Sequence, residues 1–173
     1  MSTMIQGAIA GAVGTMALDI TGYTDMAVRG RSASGLPAEV IKRFSQRAGI
    51  PIENDNRASA VGAIGGYMIG VAIGALYGAV RSRVPRAPLI LSTIALGAAA
   101  MAAADLPATR IGATDPRTWG ITGWLSDIFP HAAYGLVTAA VFDAVSNGVK
   151  PAESTTTLAE LDAVVVEIDD LSD

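Results

Sequence analysis

The sequence predicts an all-α integral membrane protein, a bundle of four transmembrane helices with short interfacial helices in its two long loops. Three observations carry this expectation. Hydrophobic residues make up 51% of the chain and charged residues only 16%, whereas an ordinary soluble domain carries about 25% charged residues. The shortfall is concentrated in four stretches with almost no net charge. Each is long enough to cross a hydrocarbon layer about 30 Å thick at about 1.5 Å per residue.

The first span is expected over about residues 4–28, ended by Arg29, Gly30 and Arg31. A short helix follows over 36–48, with Pro37 in its first turn. Val40, Ile41 and Phe44 fall on one of its sides and most of its charges elsewhere. That pattern suits a helix lying on a membrane surface or one packed on the ends of the bundle. The polar run from Glu53 to Arg57 leads into the second span, about 60–81. A basic turn containing Arg81, Arg83, Arg86 and two prolines then forces a hairpin into the third span, about 87–106. That span is alanine-rich and is expected to end at Asp105 and Pro107. The next connection, 108–128, offers a helix start at Asp115-Pro116 and holds the chain's two tryptophans, Trp119 and Trp124. Tryptophans beside a span favour the headgroup level. The fourth span is expected over about 129–149.

These four spans form one domain, 1–150. The remainder, 151–173, is read as an acidic tail without stable structure of its own. Residues 1–150 hold all 12 basic residues and 9 acidic ones, and 151–173 hold 7 acidic residues and no basic ones. By alternation both termini and the basic turn share one side, and the two long loops share the other. The long-loop side holds eight basic residues and the opposite side four, which places the long loops in the cytoplasm by the positive-inside rule. The N-terminus lacks a basic n-region, so no cleavable signal is expected. The localisation that follows is the plasma (inner) membrane.

Composition also excludes chemistry. There is no cysteine, which removes disulfides, thiol catalysis and thiolate metal sites, and His131 is the only histidine. No phosphate-cradling loop, catalytic triad or basic stripe for nucleic acid is evident. Neither a catalytic residue nor a cofactor is expected.

Two patterns remain. Gly62, Gly66, Gly70, Gly74 and Gly78 recur at every fourth residue of the second span. Steps of four drift slowly around a helix, so these glycines line a groove where another backbone can approach. Gly7 and Gly11 form a shorter match in the first span, and the alanines of the third span are small enough to join. The groove reads either as a seam for self-assembly or a membrane partner, or as packing inside one four-helix monomer. The second pattern is ionisable residues within the spans: Asp19 and Asp25 in the first, Asp105 at the end of the third, and His131 in the fourth. Carboxylates at such depth are costly and face a partner, water or a pathway. Alternation puts all four on the long-loop side, where they form a candidate polar site or are consumed in helix-end pairing.

Several blocks carry a family resemblance: 14–31 (GTMALDITGYTDMAVRGR), the glycine row within 53–78, 114–120 (TDPRTWG) and 124–144 (WLSDIFPHAAYGLVTAAVFDA). In these the chain resembles a family of uncharacterised small four-span membrane proteins of actinobacteria. More distantly, Pro130-His131 and Tyr134-Gly135 resemble a pattern in inner-membrane proteins of the YagU type. The resemblance implies the four-span fold and no activity.

Two functions are therefore carried forward. One is a non-enzymatic scaffold or accessory subunit that uses the glycine seam within the bilayer and the acidic tail for a soluble partner. The other is a small proton- or cation-linked channel or transporter using Asp19.

Overall fold

The computed structural model describes residues 1–84 and 87–148; the acidic tail and its expected lack of structure lie outside them. Five α-helices follow one another: α1 (Thr3–Arg29), α2 (Leu36–Arg47), α3 (Asp55–Arg81), α4 (Leu89–Arg110) and α5 (Ile121–Gly148). No strand occurs among the described residues. Four of the helices, all but α2, are long and apolar enough to cross a membrane.

The helix ends follow from local chemistry. The Ser2 hydroxyl accepts a hydrogen bond from the Ile5 N–H at the start of α1, and Asn54 does the same for Arg57 at the start of α3. Such caps satisfy backbone donors that the first turn leaves free. Gly30 ends α1 in the left-handed region at φ 64°, a conformation that costs glycine little. Gly112 does so after α4 at φ 74°, and there the Ala113 N–H donates to the Ala108 carbonyl.

Three boundaries differ from expectation, and all lengthen a helix at the long-loop end: α3 begins at Asp55 in place of 60. α4 runs through Pro107 to Arg110; proline removes one intrahelical bond, and the final turn is closed downstream instead. α5 begins at Ile121, eight residues before the expected start at 129. The second long loop consequently holds only a 3-10 turn, Pro116–Thr118, in place of an interfacial helix. Asp115 caps that turn, and Arg117 beside it holds the Asp115 carboxyl below the usual carboxylate range. The tryptophans close over one another, with ring centres 5.2 Å apart, and the Trp119 indole N–H donates to the Thr114 hydroxyl.

α1 is the central helix. It packs on α3 along one side and on α5 along the other, and α4 packs on α5. α3 and α4, though joined by the short basic turn, touch least among these neighbours. α2 lies against α3, with the Lys42 ammonium on the Asp55 carboxylate and Arg47 donating to the Ile111 carbonyl beyond α4. α2 therefore packs on the end of the bundle, as one of its two readings expects. Phe44, from its apolar side, stays exposed.

The helices meet through glycine. A Cβ on Gly74 would fall on the carbonyl oxygen of Gly7 and within 2.7 Å of the Gly11 nitrogen. One on Gly78 would fall on the Thr3 carbonyl oxygen. The lower glycine row therefore serves contact between α1 and α3 within the chain. α4 does not join it. Gly97 and Gly135 instead form a second seam between α4 and α5, each backed by a carbonyl of the other helix, from His131 and Thr93. The apolar core, Leu96, Ala100, Tyr134 and Ala139, sits between these seams with Leu18, Ile73 and Tyr77 against it.

Candidate functional site

Towards the long-loop end the glycine row stops making seams. Gly62 is backed by Pro37 of α2 and not by a spanning helix, and Gly66 has nothing within 4 Å. Here the helices enclose a cavity of about 450 Å³, lined by α1, α3, α4, α5 and the segment that leads into α2. Its floor is Tyr134, which is 1% exposed and donates its hydroxyl to the Gly70 carbonyl at 2.7 Å. That bond joins α5 to α3 where glycine has brought the α3 backbone within reach.

Three of the four expected polar residues, Asp19, Asp105 and His131, line this one cavity. Asp25 does not. Its carboxylate takes Arg29 and Arg31, the latter at 2.5 Å, and it faces a separate groove between α1 and α5. The reason is angular: six residues on from Asp19, a helix has turned well over a full revolution, to a different face. Asp25 thus belongs to the rim, where Arg29 also donates to the Ser126 hydroxyl.

The site contains two residues the sequence reading missed. Asp127 lines the cavity because α5 starts early enough to include it. Its side chain lies 3.4 Å from the His131 imidazole, and its backbone carbonyl is 2.8 Å from the same ring nitrogen. Asp105 lines the same cavity beside Asp127 and His131. The signal was available in the i, i+4 spacing of Asp127 and His131. The other missed residue is Tyr67 of α3, whose hydroxyl donates to Asp19 at 2.5 Å.

Both interior prolines stand beside this cluster. Pro130 lines the cavity, is buried, and leaves the Ser126 carbonyl of α5 without its intrahelical donor. Pro107 lies two residues beyond Asp105. Among the described residues no group of three or more His, Asp or Glu side chains is placed to hold a metal ion. The arrangement offers two carboxyl groups, Asp105 and Asp127, with an imidazole beside them, and a separate carboxyl, Asp19, bonded by one phenol.

No protein-family model matches the chain, and neither a curated protein nor a solved structure is similar to it.

Proposed function

We propose that this is a multi-pass protein of the plasma (inner) membrane, not an enzyme, that moves protons or small cations through the carboxylate-lined cavity of its four-helix bundle. One observation supports this above the rest: Asp19, Asp105, Asp127 and His131, from three helices, meet at a single cavity. Packing does not call for them. The seams that hold the helices are made by glycine backbones, and ionisable groups in an apolar bundle cost several kcal/mol each unless used.

The scaffold reading draws on the glycine row as a surface for other chains. It has less support, because α1 already occupies Gly74 and Gly78, and Thr15 of α1 lies against Gly70. The sequence blocks above lead us to set the chain beside the small four-span membrane proteins of actinobacteria, where a proton-linked role is equally open.

The test is flux in vesicles reconstituted with the full chain, under a pH gradient and under sodium or potassium gradients. Wild type is expected to carry flux that Asp127→Asn abolishes while folding normally. Wild-type flux no greater than that of empty vesicles under every gradient ends this reading.

A further inference from the structure

The three carboxyl groups that line the cavity, Asp19, Asp105 and Asp127, differ from those paired outside it and from one another. Asp25 is paired with Arg29 and Arg31, Asp55 with Lys42, Asp115 with Arg117, and Asp127 lies against His131. Asp105 lies beside Asp127 and His131 in the cavity wall. Asp19 has no cationic partner among the described residues; only the Tyr67 hydroxyl bonds to it. The one arginine that lines the cavity, Arg31, is committed to Asp25. The cavity wall therefore presents a carboxyl group with no cationic side chain beside it among the described residues.

Shape and lining narrow what would neutralise it. α3 and α4 are clasped near the basic turn, where the Tyr77 hydroxyl donates to Ser92 at 3.0 Å. Nearer the long loops the cavity lies between them, with Ala63, Gly66 and Tyr67 on one wall and Ala104 and Asp105 on the other. Gly66, Tyr67 and Ala104 are exposed, so the cavity opens sideways through the cleft between α3 and α4. Leu18 and the exposed Tyr23 and Ile69 add apolar and aromatic surface to the lining. The volume of about 450 Å³ falls in the range of small-molecule sites, about 300–1,000 Å³. A bare inorganic cation needs a shell of several oxygens, which Asp19 with a single phenol does not provide. An organic cation needs one countercharge, apolar surface for its body and aromatic faces for its charge.

We propose that the cleft between α3 and α4 binds a lipophilic organic cation, with its charge at Asp19 and its body against Leu18, Tyr23 and Ile69. Tyr67 is the positioning residue, holding one oxygen of the carboxylate so that the other faces the cavity. This rests on the cavity being the functional site, yet it is a statement about binding and does not require that the protein transport anything.

The probe is radiolabelled tetraphenylphosphonium, whose charge does not titrate, measured by equilibrium binding to the purified full chain in mild detergent. Wild type is expected to bind it saturably at one site per chain. Asp19→Asn should weaken binding at least tenfold and Tyr67→Phe severalfold, with thermal unfolding unchanged. Gly66→Leu, which fills the cleft from a position with open space around it, provides a second loss of binding should Asp19→Asn fold poorly. Tetraphenylborate, alike in shape and opposite in charge, should not compete. Equal binding by wild type and Asp19→Asn, or by wild type and Gly66→Leu, overturns the proposal, as does competition by tetraphenylborate or by sodium and potassium. Proton flux without probe binding sinks this inference and leaves the proton-linked reading standing. Probe binding without any flux does the reverse.

Discussion

Replacing Gly74 by alanine adds a single carbon, and the structure fixes where that carbon must go. It would lie on the Gly7 carbonyl oxygen and 2.6 Å from the Gly11 Cα, whereas ordinary contact begins near 3.4 Å. All of these atoms are backbone, so no side chain can swing aside. The oxygen would be only 2.3 Å from the new carbon, so α1 and α3 must part by roughly 1 Å, and a gap of that size forfeits about half of each close contact along the seam. Overpacking of this kind costs about 1–3 kcal/mol. Against it stands the gain of alanine over glycine in a helix, about 1 kcal/mol at most. The net expectation for Gly74→Ala is a loss of up to about 2 kcal/mol. Gly66 lies two turns away on the same row and has nothing within 4 Å. Gly66→Ala meets no obstacle and should gain about 0.5–1 kcal/mol from the same helix preference. The two variants are identical in chemistry and differ only in what surrounds the added methyl group. The assay is reversible unfolding of the purified chain in detergent, followed by helical circular dichroism, with both variants against wild type. If Gly74→Ala and Gly66→Ala move stability in the same direction, the seam between α1 and α3 does not hold the bundle as described.

The remaining expectations follow from topology and from the cavity. Cysteines introduced singly at Ser2 and Ser82 should react with an impermeant thiol reagent from one side of the membrane, and those at Ser45 and Thr118 from the other; Ser2 and Ser45 labelled from the same side would refute the alternation. Asp25→Asn should leave the lining intact but free the Arg31 guanidinium beside the cavity, and so weaken tetraphenylphosphonium binding severalfold. Adding Arg31→Gln should restore most of that loss, and failure to restore it would show that the pairing of Asp25 and Arg31 does not set the charge of the site. Gly66→Leu should lose probe binding while keeping wild-type thermal stability, because the larger side chain enters open space; a clear fall in stability would mean the cleft is closed in the folded protein.

How much of this was legible beforehand depended on the length scale of the signal. The four apolar stretches were long, and hydropathy alone placed α1 and α3 within a few residues of their bounds. α4 was cut short at Pro107, and α5 was started at 129 because 108–128 was read as a connection. Proline costs a helix one bond, and these helices accept that loss. The error at α5 had a functional consequence. With the span started at 129, Asp127 fell in a loop and was not weighed, although it stands one turn before His131. Tyr67 was hidden for a different reason. Its partner Asp19 is 48 residues away, and only the packing of α1 on α3 brings them together. No local pattern records such a contact.

The glycine row shows why periodicity identified the seam and missed the cavity. A repeat of four states that one face of α3 is free of side chains, and does not state what fills the space. Over Gly70, Gly74 and Gly78 another helix fills it, and the three are buried. Drift is the physical cause of the change: each four-residue step rotates the row by about 40°, so the row cannot follow one neighbour along its whole length. By Gly66 it has left α1 behind and looks into the gap beside α4, where the absence of a side chain leaves room in place of making contact. The same residue type at the same spacing thus joins two helices in one half of the molecule and holds a cleft open in the other. The carboxylates gather only where the row ceases to pack, and the position of the site follows from the mismatch between a four-residue repeat and a helix of about 3.6 residues per turn.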